Sequence, residues 1–261
     1  MPNWLARLQT GLMETRVRAI WMAAGIVAAA LGGAGIAVAA TGEDAQKAAI
    51  EKIVREYILA NPEIIPEAMN RLQARETGKT LASNRAALET PFAGAQAGNP
   101  RGDVSLVVFF DYACPYCRQG SKDVSRLAAE DKGIRIVYRD FPVLSPASEE
   151  AAMASLSAAQ QNRYNAFHDA MFEAPGKVAR ERTLTLVRAA GLNEARTTSD
   201  LAAPALKAEI QKNLDLGRSL GLTGTPSYVV GDRILSGAVG YDALKQAVAE
   251  ARKARSATQG R

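Results

Sequence analysis

The sequence is most informative at residues 104–122, which read VSLVVFFDYACPYCRQGSK. The almost unbroken apolar run from Val104 to Phe110 predicts a strand that is buried on both faces of a sheet. Pro115 suits the first turn of a helix, where the missing N–H of proline is no loss. The sequence therefore predicts a strand that leads directly into a helix, with Cys114 at the helix N-terminus and Cys117 one turn further on.

This placement gives the two cysteines different chemistry. The free N–H groups and the positive dipole end of a helix N-terminus favour a thiolate at Cys114, which makes it the expected nucleophile. Cys117 is close enough to form a disulfide with it and to resolve a mixed disulfide. The chain has two cysteines and one histidine, fewer ligands than a structural zinc site usually needs. We therefore expect no metal and no dissociable cofactor, with the Cys114–Cys117 disulfide as the redox group. The alternative interpretation of the cysteine pair is two inert core thiols or a static disulfide.

Residues 109–117, FFDYACPYC, resemble the thioredoxin-fold thiol:disulfide oxidoreductases, and more narrowly the DsbA-like family. A second signature, GTPSYVV, begins at Gly224. In that superfamily a cis-proline opens a strand that faces the cysteine pair, and Pro226 matches this position. The resemblance implies that the backbone at Thr225 and Pro226 receives a substrate peptide as an added strand. An ordinary trans proline at a strand start is the alternative.

The resemblance implies an α/β thioredoxin fold with an inserted helical subdomain, and the remaining pattern agrees with it. A second strand is expected near residues 134–139, and long helical tracts fill about 146–221. A hairpin with a two-residue turn at Gly231 and Asp232 and a final helix to about residue 254 complete the pattern. We predict a catalytic domain over residues 104–254, and its helical insertion resembles DsbA-like proteins rather than glutaredoxins.

Residues 1–40 are predicted to be a signal peptide or a membrane anchor. Ala19 to Ala40 carries no charge and follows a basic leader, and Ala37 to Ala39 fits a small-residue cleavage site. Both alternatives place the rest of the chain outside the cytoplasm, where a dithiol pair can make or reshuffle disulfides. We expect a periplasmic protein that contacts the membrane only through residues 19–40, if these are retained.

Apolar residues at helical spacing in residues 43–76 predict two short amphipathic helices. A signal that ends one helix and starts the next lies at Asn61 to Glu63. Pro66 is expected to delay the second helix to about residue 65. The phrase IVREYILANPEIIPEAM, which begins at Ile53, resembles the N-terminal oligomerisation region of the suppressor-of-copper-sensitivity C proteins and related DsbA-like isomerases. We expect a homo-oligomer, with packing against the same chain as the alternative. Residues 77–103, rich in Ala, Gly and turn residues, are predicted to be a linker, with helical character continuing through Asn84 to Leu88.

Residues around the cysteines are expected to tune the chemistry. Pro115 and Tyr116 separate the two cysteines. Tyr116 occupies the position of the histidine in the C-P-H-C motif of many DsbA-like oxidases. Thr225, immediately before Pro226, resembles the residue found at this position in isomerase-type members. Asp111 is a candidate proton relay to Cys117, with a helix cap or a solvated turn residue as alternatives. His168, the single histidine, is expected to be a surface or packing residue.

The formal net charge is +5 at pH 7, and we find no basic stripe with interleaved aromatic residues. Nucleic acid is therefore not an expected partner. We predict a periplasmic thiol:disulfide oxidoreductase or isomerase that acts on cysteine-bearing exported proteins and has a membrane redox partner. Alternatives are a dithiol oxidase of the same fold, a copper(I)-binding thiol protein, and a membrane-tethered scaffold whose cysteines are incidental.

Overall fold

The computed structural model describes residues 42–259. The predicted signal or anchor at residues 1–40 lies outside them. Among the described residues, no helix combines the length and apolar character that crossing a membrane requires. The chain divides into two compact units, Met1–Met69 and Asn70–Arg261.

The described part of the first unit is helical. Helix α1 covers residues 42–60, and helix α2, Ile64–Ser83, begins in this unit one residue before the predicted start. Pro66 is tolerated because it lies in the first helical turn, where no intrahelical N–H bond is lost. Large apolar side chains of this unit are exposed: Ile50, Ile53, Val54, Tyr57, Leu59, Ile64, Ile65 and Met69.

The second unit is built on a five-stranded sheet with the order β1-β3-β2-β4-β5. Strands β2 and β3 are parallel, and the other pairs are antiparallel. This is the α/β architecture that the sequence predicts, with the 104–110 run at the centre of the sheet. The strands are β1 (Gln96–Gly98), β2 (Val104–Phe110), β3 (Ile134–Asp140), β4 (Ser227–Val230) and β5 (Arg233–Ser236).

Helices cover both faces of this sheet and fill the crossover between β3 and β4. Five of them, α5 to α9, occupy residues 146–219, where the sequence places the helical insertion. The last helix runs to Gln259, past the predicted end at residue 254. The helices are α3 (Arg85–Glu89), α4 (Pro115–Glu130), α5 (Pro146–Gln160), α6 (Tyr164–Glu173), α7 (Arg180–Ala189), α8 (Glu194–Asp200), α9 (Pro204–Ser219) and α10 (Tyr241–Gln259).

The prediction that residues 77–103 form a linker is wrong, although the helical character expected from Asn84 to Leu88 is present as α3. This range holds the end of α2, the whole of α3 and the edge strand β1, which pairs with β3. Leu81 and Leu88 are almost fully buried in one core cluster with Phe109. The composition of the segment suggests flexibility, but two leucines buried under the sheet fix it to the domain.

Side chains along β2 point alternately to the two faces of the sheet, and so belong to two different core clusters. Leu106, Val108 and Phe110 belong to the cluster that also contains both cysteines. Val107 and Phe109 belong to the cluster on the other face. The side chains that point to the first face therefore share one core with the cysteines of α4.

Candidate active site

The two cysteines lie at the β2–α4 junction, as the sequence predicts. Cys114 is the N-cap residue of α4, with φ −79° and ψ 118°, and Pro115 occupies the first turn. The backbone N–H groups of Cys117 and Arg118 donate to the Cys114 carbonyl, at 3.1 and 3.3 Å. Both cysteines are free thiols in this structure. Cys114 is thus held at the positive end of the helix dipole.

The cis-proline turn faces the cysteines. The Thr225–Pro226 peptide bond is cis, as the resemblance implies. The Cys114 thiol donates to the Thr225 carbonyl, with 3.3 Å between sulfur and oxygen. Strand β4 starts immediately afterwards, and Ser227 pairs with Phe109 on β2. Antiparallel pairing of β4 with β2 therefore brings together two motifs that are far apart in the sequence.

The two sulfurs meet different surroundings. Cys114 lines an open groove of about 540 Å³, whereas Cys117 faces inward with Pro226 and Tyr228. Burial raises the pKa of the Cys117 thiol well above its ordinary value, although hydrogen bonds with the Asp111 backbone and with Thr225 oppose this rise. Cys117 therefore holds its proton at neutral pH, whereas Cys114, although only 5% exposed, is the sulfur that lines the groove.

Asp111 is a buried anchor of the turn between β2 and α4. One carboxylate oxygen accepts from the Ala113 N–H at 2.8 Å, and the other accepts from Val143 and Leu144, both at 3.0 Å. The alternative of a solvated turn residue is wrong, since Asp111 is only 2 % exposed. Its proton-relay role stays a prediction, and its contacts explain a structural role.

His168 is a packing residue, and its predicted surface alternative is wrong. The imidazole is 2 % exposed and stacks on Tyr164, edge-on to Phe110. Its Nδ1 lies 3.2 Å from the Tyr112 hydroxyl. Burial lowers the pKa of His168 to about 3, so the ring is neutral near pH 7.

A buried polar chain next to the cysteines was not anticipated. The Tyr112 hydroxyl donates to Ser155 at 3.1 Å, and Ser155 donates to Asp140 at 3.3 Å. The only local signal was the position of Tyr112, two residues before Cys114. Burial raises the pKa of the Asp140 carboxyl well above its ordinary value, which favours its neutral form in this apolar interior.

Two cationic residues of the groove were also missed. Arg118 and Lys177 line it together with Cys114. The i, i+4 spacing from Cys114 was a usable signal for Arg118, because such residues share a helix face. No local pattern identifies Lys177, which the loop after α6 brings to the site. Pro115 and Tyr116 are exposed, and their tuning role stays a prediction.

Among the described residues, no group of three or more His, Cys, Asp or Glu side chains is arranged to hold a metal ion. The site contains a dithiol, a helix N-terminus and a carbonyl beside a cis-proline. This set of groups is suited to thiol–disulfide exchange.

Comparisons with known proteins agree with this chemistry. The model of the DSBA-like thioredoxin domain family matches residues 105–249, and that of the copper resistance protein ScsC N-terminal domain matches residues 46–77. A thioredoxin-like oxidoreductase from Silicibacter pomeroyi is 41% identical, with a TM-score of 0.63, over 65% of this chain and 98% of that one. A linker-deletion mutant of Proteus mirabilis ScsC is 29% identical, with a TM-score of 0.64, over 81% of this chain and 96% of that one.

A curated relative, the Na(+)/H(+) antiporter NhaA 3 of Salinispora tropica, is 27% identical over 156 residues, which are 59% of this chain and 24% of the antiporter. The chain spans about a quarter of the length of the curated antiporters that it matches. The match of a DSBA-like model to more than half of the chain is supported by the geometry of Cys114 and Cys117. The chain therefore belongs to the DsbA-like family of thioredoxin-fold thiol–disulfide oxidoreductases, and is ScsC-like in its N-terminal helices.

Proposed function

We propose that this chain is an exported protein disulfide isomerase that repairs cysteine pairing in other exported proteins. The observation that carries the proposal is the contact of the Cys114 thiol with the Thr225 carbonyl, beside the cis-proline and at the mouth of an open groove. A substrate strand that pairs with the backbone at Thr225 would bring its disulfide to Cys114.

In isomerisation the Cys114 thiolate attacks one sulfur of a wrong substrate disulfide. The substrate S–S bond breaks, a mixed disulfide forms, and the substrate keeps one free thiolate. That thiolate attacks another disulfide of the substrate, and a substrate sulfur finally displaces Cys114 as a thiolate. No net electrons are transferred, so the pair must enter the cycle reduced.

Oxidation uses the same sulfurs from the other redox state. A substrate thiolate attacks Cys114 in the Cys114–Cys117 disulfide, and Cys117 leaves and takes a proton. A second substrate thiolate then attacks the mixed disulfide, forms the substrate disulfide and displaces Cys114. Two electrons pass from the substrate to the pair. A membrane redox partner would restore the pair to its working state.

The burial of Cys117 supports isomerisation over simple reduction of the substrate, which is the outcome when Cys117 attacks the mixed disulfide. Resolution of a mixed disulfide needs the Cys117 thiolate, and burial raises the pKa of this thiol. Because the thiolate fraction of Cys117 is then small at neutral pH, the mixed disulfide lasts longer. A longer lifetime gives the substrate time to rearrange.

The N-terminal helices support an oligomer. Their large apolar side chains are exposed within the described chain, and residues 46–77 match the ScsC N-terminal domain. We propose that second copies of this chain cover these side chains, in a periplasmic assembly delivered by residues 1–40. Several active sites in one assembly would suit repair of a substrate with several wrong disulfides.

The test compares the wild-type chain with Cys114→Ser and Cys117→Ser on a model substrate with scrambled disulfides. We expect the reduced wild type to restore the substrate's activity and Cys114→Ser to be inactive. Cys117→Ser should accumulate mixed disulfides, visible as adducts on a non-reducing gel. A wild-type chain that oxidises dithiols but leaves scrambled substrate unchanged would instead establish a dithiol oxidase of the same fold.

Copper(I) binding is a second candidate, favoured by the match of residues 46–77 to a domain of a copper resistance protein. Soft thiolates such as those of Cys114 and Cys117 suit this ion. Titration of the reduced chain with copper(I), under a competing chelator, tests it. Tight stoichiometric binding without repair of scrambled disulfides would favour the metal function.

A further inference from the structure

Two cationic side chains, Arg118 and Lys177, line the groove at Cys114. Six of its lining residues are Cys114, Arg118, Ser145, Gly176, Lys177 and Val178, and none of the described residues that line it is Asp or Glu. Glu173, close to Lys177 in sequence, is not among the lining residues. A substrate segment that enters the groove therefore meets two cations close to the reactive sulfur.

Arg118 is held by carbonyls rather than by carboxylates. One guanidinium nitrogen donates to the Phe172 carbonyl and to the Ala174 carbonyl, the latter at 3.0 Å. These carbonyls lie at the end of α6 and carry only partial negative charge. The bonds fix the position of Arg118 but offset only part of its charge.

Arg182 fixes the loop that forms the wall of the groove. Its guanidinium donates to the carbonyls of Met171 at 2.9 Å, Ala174 at 2.8 Å and Pro175 at 3.0 Å. Arg118 and Arg182 both donate to the Ala174 carbonyl, so their guanidinium groups lie close together. Burial and the charge of Arg118 both lower the pKa of Arg182. Such a pair adds positive potential on this side of the site.

Lys177 follows this anchored turn and is exposed. Among the described residues, none of the ion pairs involves Lys177. The ammonium group is consequently free to meet a charge on a substrate. The N-terminus of α4, at Cys114, adds a further positive dipole end to the same groove.

We propose that this groove selects cysteine-bearing protein segments that carry an acidic side chain close to the cysteine, with Lys177 as a specificity-determining residue. The inference rests on the proposed function and names its substrate class. An aspartate or glutamate next to the reacting cysteine would lie in a potential set by Arg118, Lys177 and the helix dipole. Complementary charge accelerates encounter and holds the segment in register.

The test uses three short peptides whose single cysteine carries a 2-thiopyridyl group and is flanked by aspartate, serine or lysine. The reduced full chain attacks the peptide sulfur through Cys114 and releases the thiopyridine, which is followed by absorbance. At low salt we expect the aspartate peptide to react about threefold to tenfold faster than the lysine peptide. Raising the ionic strength to about 0.5 M should remove most of this ratio, because the charges are exposed to solvent.

Lys177→Glu should reverse the ratio, so that the lysine peptide reacts faster. The matched control is Lys253→Glu, which makes the same change of charge at an exposed residue of α10. This control should keep the wild-type ratio. Equal rates for the aspartate and lysine peptides in the wild type, or an unchanged ratio in Lys177→Glu, would overturn the inference.

The serine peptide separates this inference from the proposed function. If it reacts with the wild type but not with Cys114→Ser, the thiol chemistry stands whatever the charge ratios show. A reduced chain that does not react with the serine peptide would overturn the proposed function, and the charge preference with it.

Discussion

His168 shows how burial changes the chemistry of a single side chain. Its imidazole is enclosed by the rings of Phe110, Tyr138 and Tyr164 and contacts the Tyr112 hydroxyl. An ordinary histidine protonates near pH 6.5, but burial lowers the pKa of this one to about 3. Over the range between these values the unfolded chain binds a proton at His168 and the folded chain does not. Lowering the pH through this range therefore favours unfolding.

Replacement of His168 by Phe removes the protonation of this side chain in the unfolded chain, and so isolates its effect on stability. We expect the free energy of unfolding of the wild type to fall, relative to His168→Phe, by about 2 kcal/mol between pH 7 and pH 5. Denaturant titration of both proteins at the two pH values measures this difference. Burial raises the pKa of Asp140, so its effect on the pH dependence of stability is opposite to that of His168. Its contribution to stability is lost as pH rises above the pKa that Asp140 has in the unfolded chain. Asp140 is present in both proteins, so this effect cancels in the comparison. Parallel pH curves for the two proteins would show that His168 protonates normally.

Helix α4 shows how one element presents the reactive pair. Its buried face contains Cys117, Gly120, Val124 and Leu127, at the spacing of an amphipathic helix. A side chain at Gly120 would place its Cβ about 2.2 Å from the Tyr228 hydroxyl oxygen. Glycine at this position therefore lets the helix approach β4, which follows the cis-proline turn. This close approach keeps Cys117 packed against the turn.

Helix α9 depends on a similar close approach. A Cβ at Gly217 would lie 2.4 Å from the ring of Phe141, in the core cluster below the sheet. At Gly78 on α2, the nearest atom to such a Cβ is 3.8 Å away. The same substitution should therefore have opposite effects at these two helical positions.

We expect Gly217→Ala to destabilise the fold by about 1–3 kcal/mol, because the core must move to admit a methyl group. Gly78→Ala should be neutral or should stabilise it by up to about 1 kcal/mol, the usual gain in helix propensity. Denaturant unfolding of the two variants gives both values. Stabilisation by both substitutions would mean that α9 can move away from Phe141 at little cost.

For the chain as a whole, the exposed apolar side chains of the first unit require an explanation. Ile53 and Tyr57 are 65% and 56% exposed, respectively, and lie one turn apart on α1. Apolar area left in water on such a scale usually marks an interaction surface. The proposed oligomer would bury it and gain about 25 cal/mol for each Å² removed from water.

We expect the double substitution Ile53→Ser and Tyr57→Ser to reduce the oligomer to single chains, as measured by sedimentation equilibrium. The matched control replaces Lys52 and Glu56, the neighbouring i, i+4 ion pair on the same helix. Replacing both with serine also leaves the net charge unchanged, and this variant should keep the wild-type mass. A wild-type chain that is already a monomer at micromolar concentration would contradict the proposal.

The elements and motifs that the sequence determined depend on near neighbours along the chain. The apolar run before Cys114, the proline that starts α4 and the two-residue turn at Gly231 are local signals, and each is found where it was predicted. The cis bond at Pro226 followed from family resemblance, which the structure matches. Short-range sterics and hydrophobic periodicity are sufficient to predict the apolar strand, the helix start and the turn.

Tertiary structure alone decided which side chains are buried and which charges meet. It fixed the predicted linker to the domain, because Leu81 and Leu88 pack below the sheet and β1 pairs with β3. It enclosed Asp111 among three backbone N–H groups, and the loop after α6 brought Lys177 to the groove of Cys114. These outcomes depend on residues distant in sequence, since the local dielectric and the neighbouring charges of a group are set by the packed fold.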